Sequence, residues 1–424
     1  MVKEPQNRFS LLTSLAQKLV VMMALFVFTT FITDKNNHYA RPASVERNPA
    51  ALQTDDLLLS LESLIPVYDS CLQASVAGNI TPGAAMAIIY KGRIEIIKGY
   101  GVKKMGTPDL VDIHTAFRIG SVSKGFASVL TGIMKQEHVI GWDDPVAPYL
   151  PDFHHRDSVN FNALTIREIL GQASGFPIHT FTDLLDDNIP LDQIIQQLQT
   201  VPFSTKPGMI YSYQNVVYSL IEEILKNTTG QDYAHLLREK IFYPLHMKDA
   251  SSEYVSLIIS GNYAIPHIMT RNSWTPVDNN PRYYATIPAS GINASISDMA
   301  RWLLALTGSE PEVIPAGVLE EVYTPVVAIP LKRSIKRSWG GAENLSYALG
   351  WRVIRTGNKN IVFHGGLVQG FRAEIGFCPE DKVGIVMLFN GNTAAVNDLL
   401  PGFFNILYHH NAGGNPFLID WPES

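Results

Sequence analysis

The hexad Gly120-Ser121-Val122-Ser123-Lys124-Gly125 sets a hydroxyl and an amine three residues apart. On a helix such residues lie one above the other, so Lys124 reaches the hydroxyl of Ser121 while Ser123 points elsewhere. A serine hydroxyl is a weak nucleophile at neutral pH and needs a neighbour to take its proton. A lysine can do this once burial or nearby positive charge lowers its pKa. Gly120 lets the chain turn sharply into the helix and lets a carbonyl approach the backbone. Alone, the Ser-x-x-Lys spacing also describes a solvated helix start, so it needs support from elsewhere in the chain.

Two further groups are candidates. Pro207-Gly208-Met209-Ile210-Tyr211-Ser212-Tyr213-Gln214-Asn215 is a glycine turn leading to a Tyr-x-Asn triplet at a helix start. Tyr213 could shuttle protons and the Asn215 amide could bind a substrate carbonyl, although a turn tyrosine with a capping asparagine reads equally well. His364-Gly365-Gly366 ends a strand and is followed by Leu367-Val368-Gln369-Gly370-Phe371-Arg372. Small residues there let a substrate backbone pair beside the strand, while alone the segment reads as a tight turn.

The elements that must carry these groups follow from periodicity. Apolar residues at helical spacing from 55 to 77 open the domain, and Ala84 to Tyr90 with Arg93 to Gly101 flank a glycine turn as an antiparallel hairpin. From about 121 to 310 the pattern is mostly helical: Ser121 to Gln136, a capping box at Thr165-Ile166-Arg167-Glu168, Leu191 to Leu198, Tyr213 to Leu225, Tyr233 to Ile241, and Met299 to Leu306 capped by Ser295. Strands return at Ile361 to Phe363, Arg372 to Phe377 and Val383 to Phe389, before a helical run from Ala394 to Tyr408. The expectation is a mixed α+β fold: one antiparallel sheet built from both chain ends, carrying terminal helices, with an all-helical lobe inserted and a cleft between. Lys332, Arg333, Lys336 and Arg337 fall in a stretch read as a solvated loop, with an anionic substrate as the other use for it.

With 46% hydrophobic and 17% charged residues, the chain is a folded protein rather than a disordered one. The formal charge of −6 is spread along the sequence, which gives no support for a nucleic-acid partner. Leu19 to Ile32 form an apolar run preceded by Lys3, Arg8 and Lys18. That run is shorter than the roughly 20 residues a membrane span needs, so it reads as an export signal occupying residues 1–40, with cleavage near Ala40. An uncleaved N-terminal anchor is the alternative, and it is the only membrane attachment expected. Residues 41–424 then form the domain, periplasmic or secreted. Cys71 and Cys378 either pair in an oxidising compartment or remain buried thiols. No metal-ligand spacing occurs, so no metal is expected.

Taken together and in this order, the three groups resemble those of the serine β-lactamases and penicillin-binding proteins, in the branch of the class C β-lactamases, DD-carboxypeptidases and related esterases. The resemblance extends to Phe117-Arg118-Ile119 before Gly120, Asp143-Asp144-Pro145-Val146, Leu164 to Leu170, Ser174-Gly175-Phe176-Pro177 and Pro288-Ala289-Ser290-Gly291 ahead of Asp298-Met299-Ala300-Arg301-Trp302. It implies a β-lactamase/transpeptidase-like fold and no cofactor.

The resemblance further implies that Ser121 attacks a carbonyl with help from Lys124, and that Tyr213 relays a proton to the leaving group; which of the two is the base stays open. Asn215 would hold the substrate amide. His364-Gly365-Gly366 occupies the place of the family's Lys-Thr-Gly strand, and the amides of Ser121 and Leu367 would form the oxyanion hole. Histidine in place of lysine is only partly charged at neutral pH, and Gly365 lacks the threonine hydroxyl, which puts efficient β-lactam hydrolysis in doubt. Arg372 is a candidate for the missing cation, or simply a solvent-facing strand residue. The implied substrates are a β-lactam or a D-Ala-D-Ala peptide, with small acyl esters or a sensor that acylates once as alternatives.

Overall fold

The computed structural model describes residues 49–187 and 189–409. The expected export signal lies outside the described residues. Among them, no helix is long and apolar enough to cross a membrane. The contacts divide the chain into residues 82–402 and the segments on either side. In the smaller unit α1 (Pro49–Ala77) covers the helix expected from residue 55, and its Tyr68 ring meets Phe403 edge-on at 5.5 Å.

The larger unit carries β1 (Gly83–Tyr90), β2 (Arg93–Gly101), β3 (Phe117–Arg118), β4 (His267–Thr270), β5 (Ser273–Pro276), β6 (Asn293–Ala294), β7 (Val327–Ala328), β8 (Asn344–Tyr347), β9 (Arg352–Thr356), β10 (Lys359–Val368), β11 (Phe371–Cys378) and β12 (Val383–Phe389). The helices that bear on the site are α2 (Ser123–Gln136), α3 (Ile166–Leu170), α4 (Thr182–Asp186), α5 (Val216–Thr229), α6 (Ile287–Ser290), α7 (Ile296–Leu306) and α8 (Arg333–Ser338). In the described residues an eight-stranded antiparallel sheet runs β2-β1-β12-β11-β10-β9-β8-β7. The register Ala84↔Phe389 to Tyr90↔Val383 joins its early and late strands, as expected. Every residue of β1 and β12 is buried, which is why both read as unbroken apolar runs rather than alternating ones.

Three strands, β7, β8 and β9, are only two to five residues long, too short for a pattern of their own to announce them. The β4–β5 hairpin likewise interrupts the stretch expected to be helical. The basic stretch is not a loop: it forms α8, with Lys332, Arg333, Lys336 and Arg337 all exposed. The capping boxes at Thr165/Glu168 and Ser295/Asp298 both form. Cys71, half-buried, and Cys378, buried, are both thiols.

The nucleophile helix is the centre of the packing. Residues Ser123 to Met134 of α2 are all buried, and Phe126 stacks on Trp302 of α7 with ring centroids 3.9 Å apart. A helix buried on every side needs apolar or small residues throughout, and Gly125 is one: a Cβ there would lie 2.2 Å from the Trp351 ring.

Candidate active site

Ser121 lies in a single 3-10 turn, Gly120–Val122, that leads into α2 rather than in the α-helix itself. Such a turn eclipses residues i and i+3, so the alignment of Ser121 with Lys124 survives. Gly120 is left-handed (φ 52°), and a Cβ on it would stand 2.9 Å from the Leu367 amide nitrogen. A Cβ on Gly366 would stand 2.0 Å from Ile119 O and 3.1 Å from Ser121 N. The nucleophile turn is therefore pressed against β10, whose pairing with β9 has ended at Phe363↔Arg352. The backbone amides of Ser121 and Leu367 therefore lie close to one another on either side of Gly120.

Lys124 is fully buried. Its Nζ donates to Asn215 Oδ1 at 2.8 Å and to Ala289 O at 3.0 Å, and stands 3.3 Å from Ser121 Oγ. Burial, and next the Arg352 guanidinium, hold its pKa well below the ordinary lysine value. A neutral amine has two hydrogens, which the two carbonyl-type oxygens engage. Its lone pair is then left for the Ser121 hydroxyl proton.

Tyr213 donates its phenol proton to Ser121 Oγ at 2.8 Å. Burial raises its pKa, partly offset by Arg352, so the phenol stays protonated. Tyr213-Gln214-Asn215 is not helical, because α5 begins only at Val216. Gln172 holds the segment instead: its side chain accepts from Gln214 N at 2.6 Å and donates to Gln214 O at 2.9 Å, while its carbonyl accepts from Ser212 N at 2.8 Å. Buried Gln172 is a positioning residue that no motif pointed to.

The third group differs from expectation. His364 is fully buried, so its ring does not present itself to a substrate. Its Nδ1 lies 2.8 Å from Gly365 O, an acceptor, which assigns the hydrogen to Nδ1 and leaves Nε2 to accept from Tyr347 Oη at 3.0 Å and Arg352 Nη1 at 3.4 Å. Burial, then Arg352 and Lys124, depress its pKa well below 6.5, so the imidazole is neutral. The fixed cation here is Arg352. It is half-buried, hydrogen-bonded to Tyr211, and lies 5.6 Å from the Tyr213 ring centroid and 5.7 Å from that of Tyr347. Sequence reasoning missed it, because an arginine in a short strand carries no spacing signal.

Arg372, the cation candidate of the sequence, is otherwise engaged. It pairs with Glu374 and donates to Asn397 Oδ1 at 3.0 Å. Glu374, cross-strand from Gly365, is buried, which raises its pKa against the lowering effect of Arg372. Its carboxylate fills the room a side chain at Gly365 would need, 2.9 Å from where that Cβ would lie. Glycine at 365 is thus matched to its β11 partner. Leu367, at 53% exposure, is the open apolar side chain on this strand.

A family profile described as Beta-lactamase matches residues 68–401. Protein flp of Staphylococcus aureus is 24% identical over 345 residues, covering 81% of this chain and 66% of that relative's own length. Among solved structures, an octameric penicillin-binding protein homologue from Pyrococcus abyssi aligns with a TM-score of 0.70 at 20% identity, covering 83% of this chain and 78% of that one. A class C beta lactamase from Rhodobacter sphaeroides aligns with a TM-score of 0.64 at 20% identity, covering 84% and 99%. The profile spans most of the chain and the fold is shared, so the chain belongs to the beta-lactamase family.

Proposed function

We propose that this protein hydrolyses acyl compounds through an acyl-enzyme on Ser121, and that its substrates carry a carboxylate on the leaving-group side, as a β-lactam or the C-terminal D-residue of a peptide does. The observation that carries the carboxylate is Arg352, an always-charged guanidinium held beside Tyr213 by neutral His364. It supplies the fixed charge that the His364-Gly365 pair lacks.

The steps follow from the hydrogen bonds. Ser121 Oγ attacks the carbonyl carbon as its proton passes to the Lys124 lone pair, and the oxyanion rests against the amides of Ser121 and Leu367. Asn215 orients the acyl amide. The tetrahedral intermediate collapses when the leaving nitrogen takes the Tyr213 proton, which Lys124 replaces. Water then attacks the ester by the reverse relay, its proton passing through Tyr213 and Lys124 to Ser121 Oγ, which releases the acid and restores the serine. In this assignment Lys124 is the base and Tyr213 the acid, supported by the opposite directions of their pKa shifts. The apolar run at 19–32 supports export as part of the same proposal.

The test is burst and steady-state turnover of nitrocefin, p-nitrophenyl acetate and a D-Ala-D-Ala peptide by the wild-type protein and Ser121→Ala. Turnover of a carboxylate-bearing substrate that Ser121→Ala abolishes is the expected result. Ester turnover with no reaction at either carboxylate substrate would refute the role given to Arg352 and leave a small-ester hydrolase.

A further inference from the structure

The last strand pair before the tip of the β10–β11 hairpin is Val368↔Phe371, so Gln369 and Gly370 alone make the turn. Both have positive φ, 44° and 87°, the mirror-image turn that matches the twist of paired strands and is ordinarily filled by asparagine or glycine followed by glycine. Gly370 meets that demand, and a Cβ on it would stand 2.8 Å from His267 O. Glutamine at 369 does not, since a left-handed backbone strains side chains other than the short polar ones. Its amide has another use. Oε1 accepts from Arg118 Nη1 at 2.7 Å, and Nε2 donates to Asn280 Oδ1 at 2.5 Å.

Arg118 is a buried cation. Among the described residues no carboxylate pairs with it. Its hydrogen bonds go to neutral oxygens, Asn280 O at 3.1 Å, Arg282 O at 2.5 Å and Gln369 Oε1, and its guanidinium lies 4.5 Å from the Tyr284 ring centroid. A guanidinium out of water depends on each acceptor it has, and a charged donor makes a stronger hydrogen bond than a neutral one. The Arg118–Gln369 bond is thus a firm contact between elements 251 residues apart in sequence.

The same two elements carry the amides of the nucleophile turn and of β10. Arg118 stands three residues before Ser121, and Gln369 two residues after Leu367, no more than about 7 Å along the chain. Between these anchor points the segments press together where a Cβ on Gly366 would meet Ile119 O and one on Gly120 would meet the Leu367 amide. Steric contact of that kind sets a least distance between the segments; the Arg118–Gln369 bond opposes their parting. Resting on the acyl-enzyme reading above, in which the amides of Ser121 and Leu367 receive the oxyanion, we propose that the Arg118–Gln369 hydrogen bond is a tie that sets the spacing of those two amides, which makes both side chains positioning residues for the reaction.

The test compares pre-steady-state acylation by p-nitrophenyl acetate and by O-p-nitrophenyl thionoacetate, in which sulfur replaces the carbonyl oxygen, in the wild-type protein, Gln369→Gly, Gln369→Glu and Ser121→Ala. Sulfur is a weak hydrogen-bond acceptor, so the thiono ester gains little from the paired amides. The oxo-to-thiono rate ratio therefore reads the geometry of the amides rather than the activity of Ser121. Gln369→Gly removes the tie and suits the turn better than glutamine does, so folding is retained. Gln369→Glu keeps an acceptor for Arg118. The ratio is expected to fall about tenfold in Gln369→Gly, the equivalent of one hydrogen bond to a charged group, and to stay within about threefold of wild type in Gln369→Glu. An unchanged ratio in Gln369→Gly, or an equal loss in Gln369→Glu, overturns the tie, as does a wild-type protein with no preference for the oxo ester. Absence of Ser121-dependent acylation by p-nitrophenyl acetate in the wild-type protein overturns the acyl-enzyme reading and the tie with it.

Discussion

Replacing Arg352 with methionine keeps most of the side-chain volume and removes one charge. Lys124 Nζ lies 4.6 Å and Arg352 Cζ 5.6 Å from the same Tyr213 ring centroid, so the two cationic groups are no more than about 10 Å apart. At that distance, with an effective dielectric constant of about 20, two unit charges repel by about 1.6 kcal/mol, roughly a tenfold effect on the ratio of neutral to protonated Lys124. The sign is fixed: Arg352 lowers the Lys124 pKa, second only to burial, so removing it favours the protonated amine, which cannot act as a base. The acidic limb of kcat/KM against pH therefore moves to higher pH. Below that limb, activity falls about tenfold relative to wild type. p-Nitrophenyl acetate isolates the effect, since it has no carboxylate to lose its partner. Arg352→Lys keeps the charge and should leave the limb near its wild-type position. A limb that stays put in correctly folded Arg352→Met, or moves to lower pH, would refute the electrostatic role assigned to Arg352.

Tyr213→Phe removes the proton donor to Ser121 while keeping the ring that both cations contact; kcat for a chosen substrate should fall about 10²- to 10⁴-fold with little change in melting temperature, and a loss under threefold would count against the relay. Gly366→Ala forces a Cβ to within 2.0 Å of Ile119 O, so β10 must shift off the nucleophile turn, costing about 1–3 kcal/mol in thermal or urea unfolding and most of the acylation rate. Glu222 is raised by burial to a pKa of about 8 and its Oε2 has no hydrogen-bond partner. An acid whose folded pKa exceeds its unfolded value of about 4.3 loses stability as pH rises between the two. Glu222→Gln should therefore flatten the fall in urea midpoint between about pH 5 and pH 8, and an unaltered slope would contradict the burial argument.

The two chain ends met in one sheet as the sequence led one to expect, because β1 and β12 are long, apolar and buried, and their patterns owe little to their partners. The capping boxes at Thr165 and Ser295 were legible for a similar reason: each is a contact between residues three apart. Short strands such as β8 and β9 were not, since their residues enter the sheet through pairing with neighbours and not through any pattern of their own.

At the site, the division follows the range of the interactions. Ser121 and Lys124 are three residues apart, so one helical turn aligns them; their spacing suggested the chemistry, and the groups at Tyr213 and His364 in family order were needed to support it. Residue type made Tyr213 a candidate proton carrier, on equal terms with a turn tyrosine. What the tertiary structure decided is the charge each group bears. His364 is neutral and Lys124 is depressed because packing buries them beside Arg352, and Arg372 is withdrawn because β11 sets Glu374 next to it. Desolvation and Coulomb energies depend on distances between residues far apart in sequence, and only the folded chain fixes those distances.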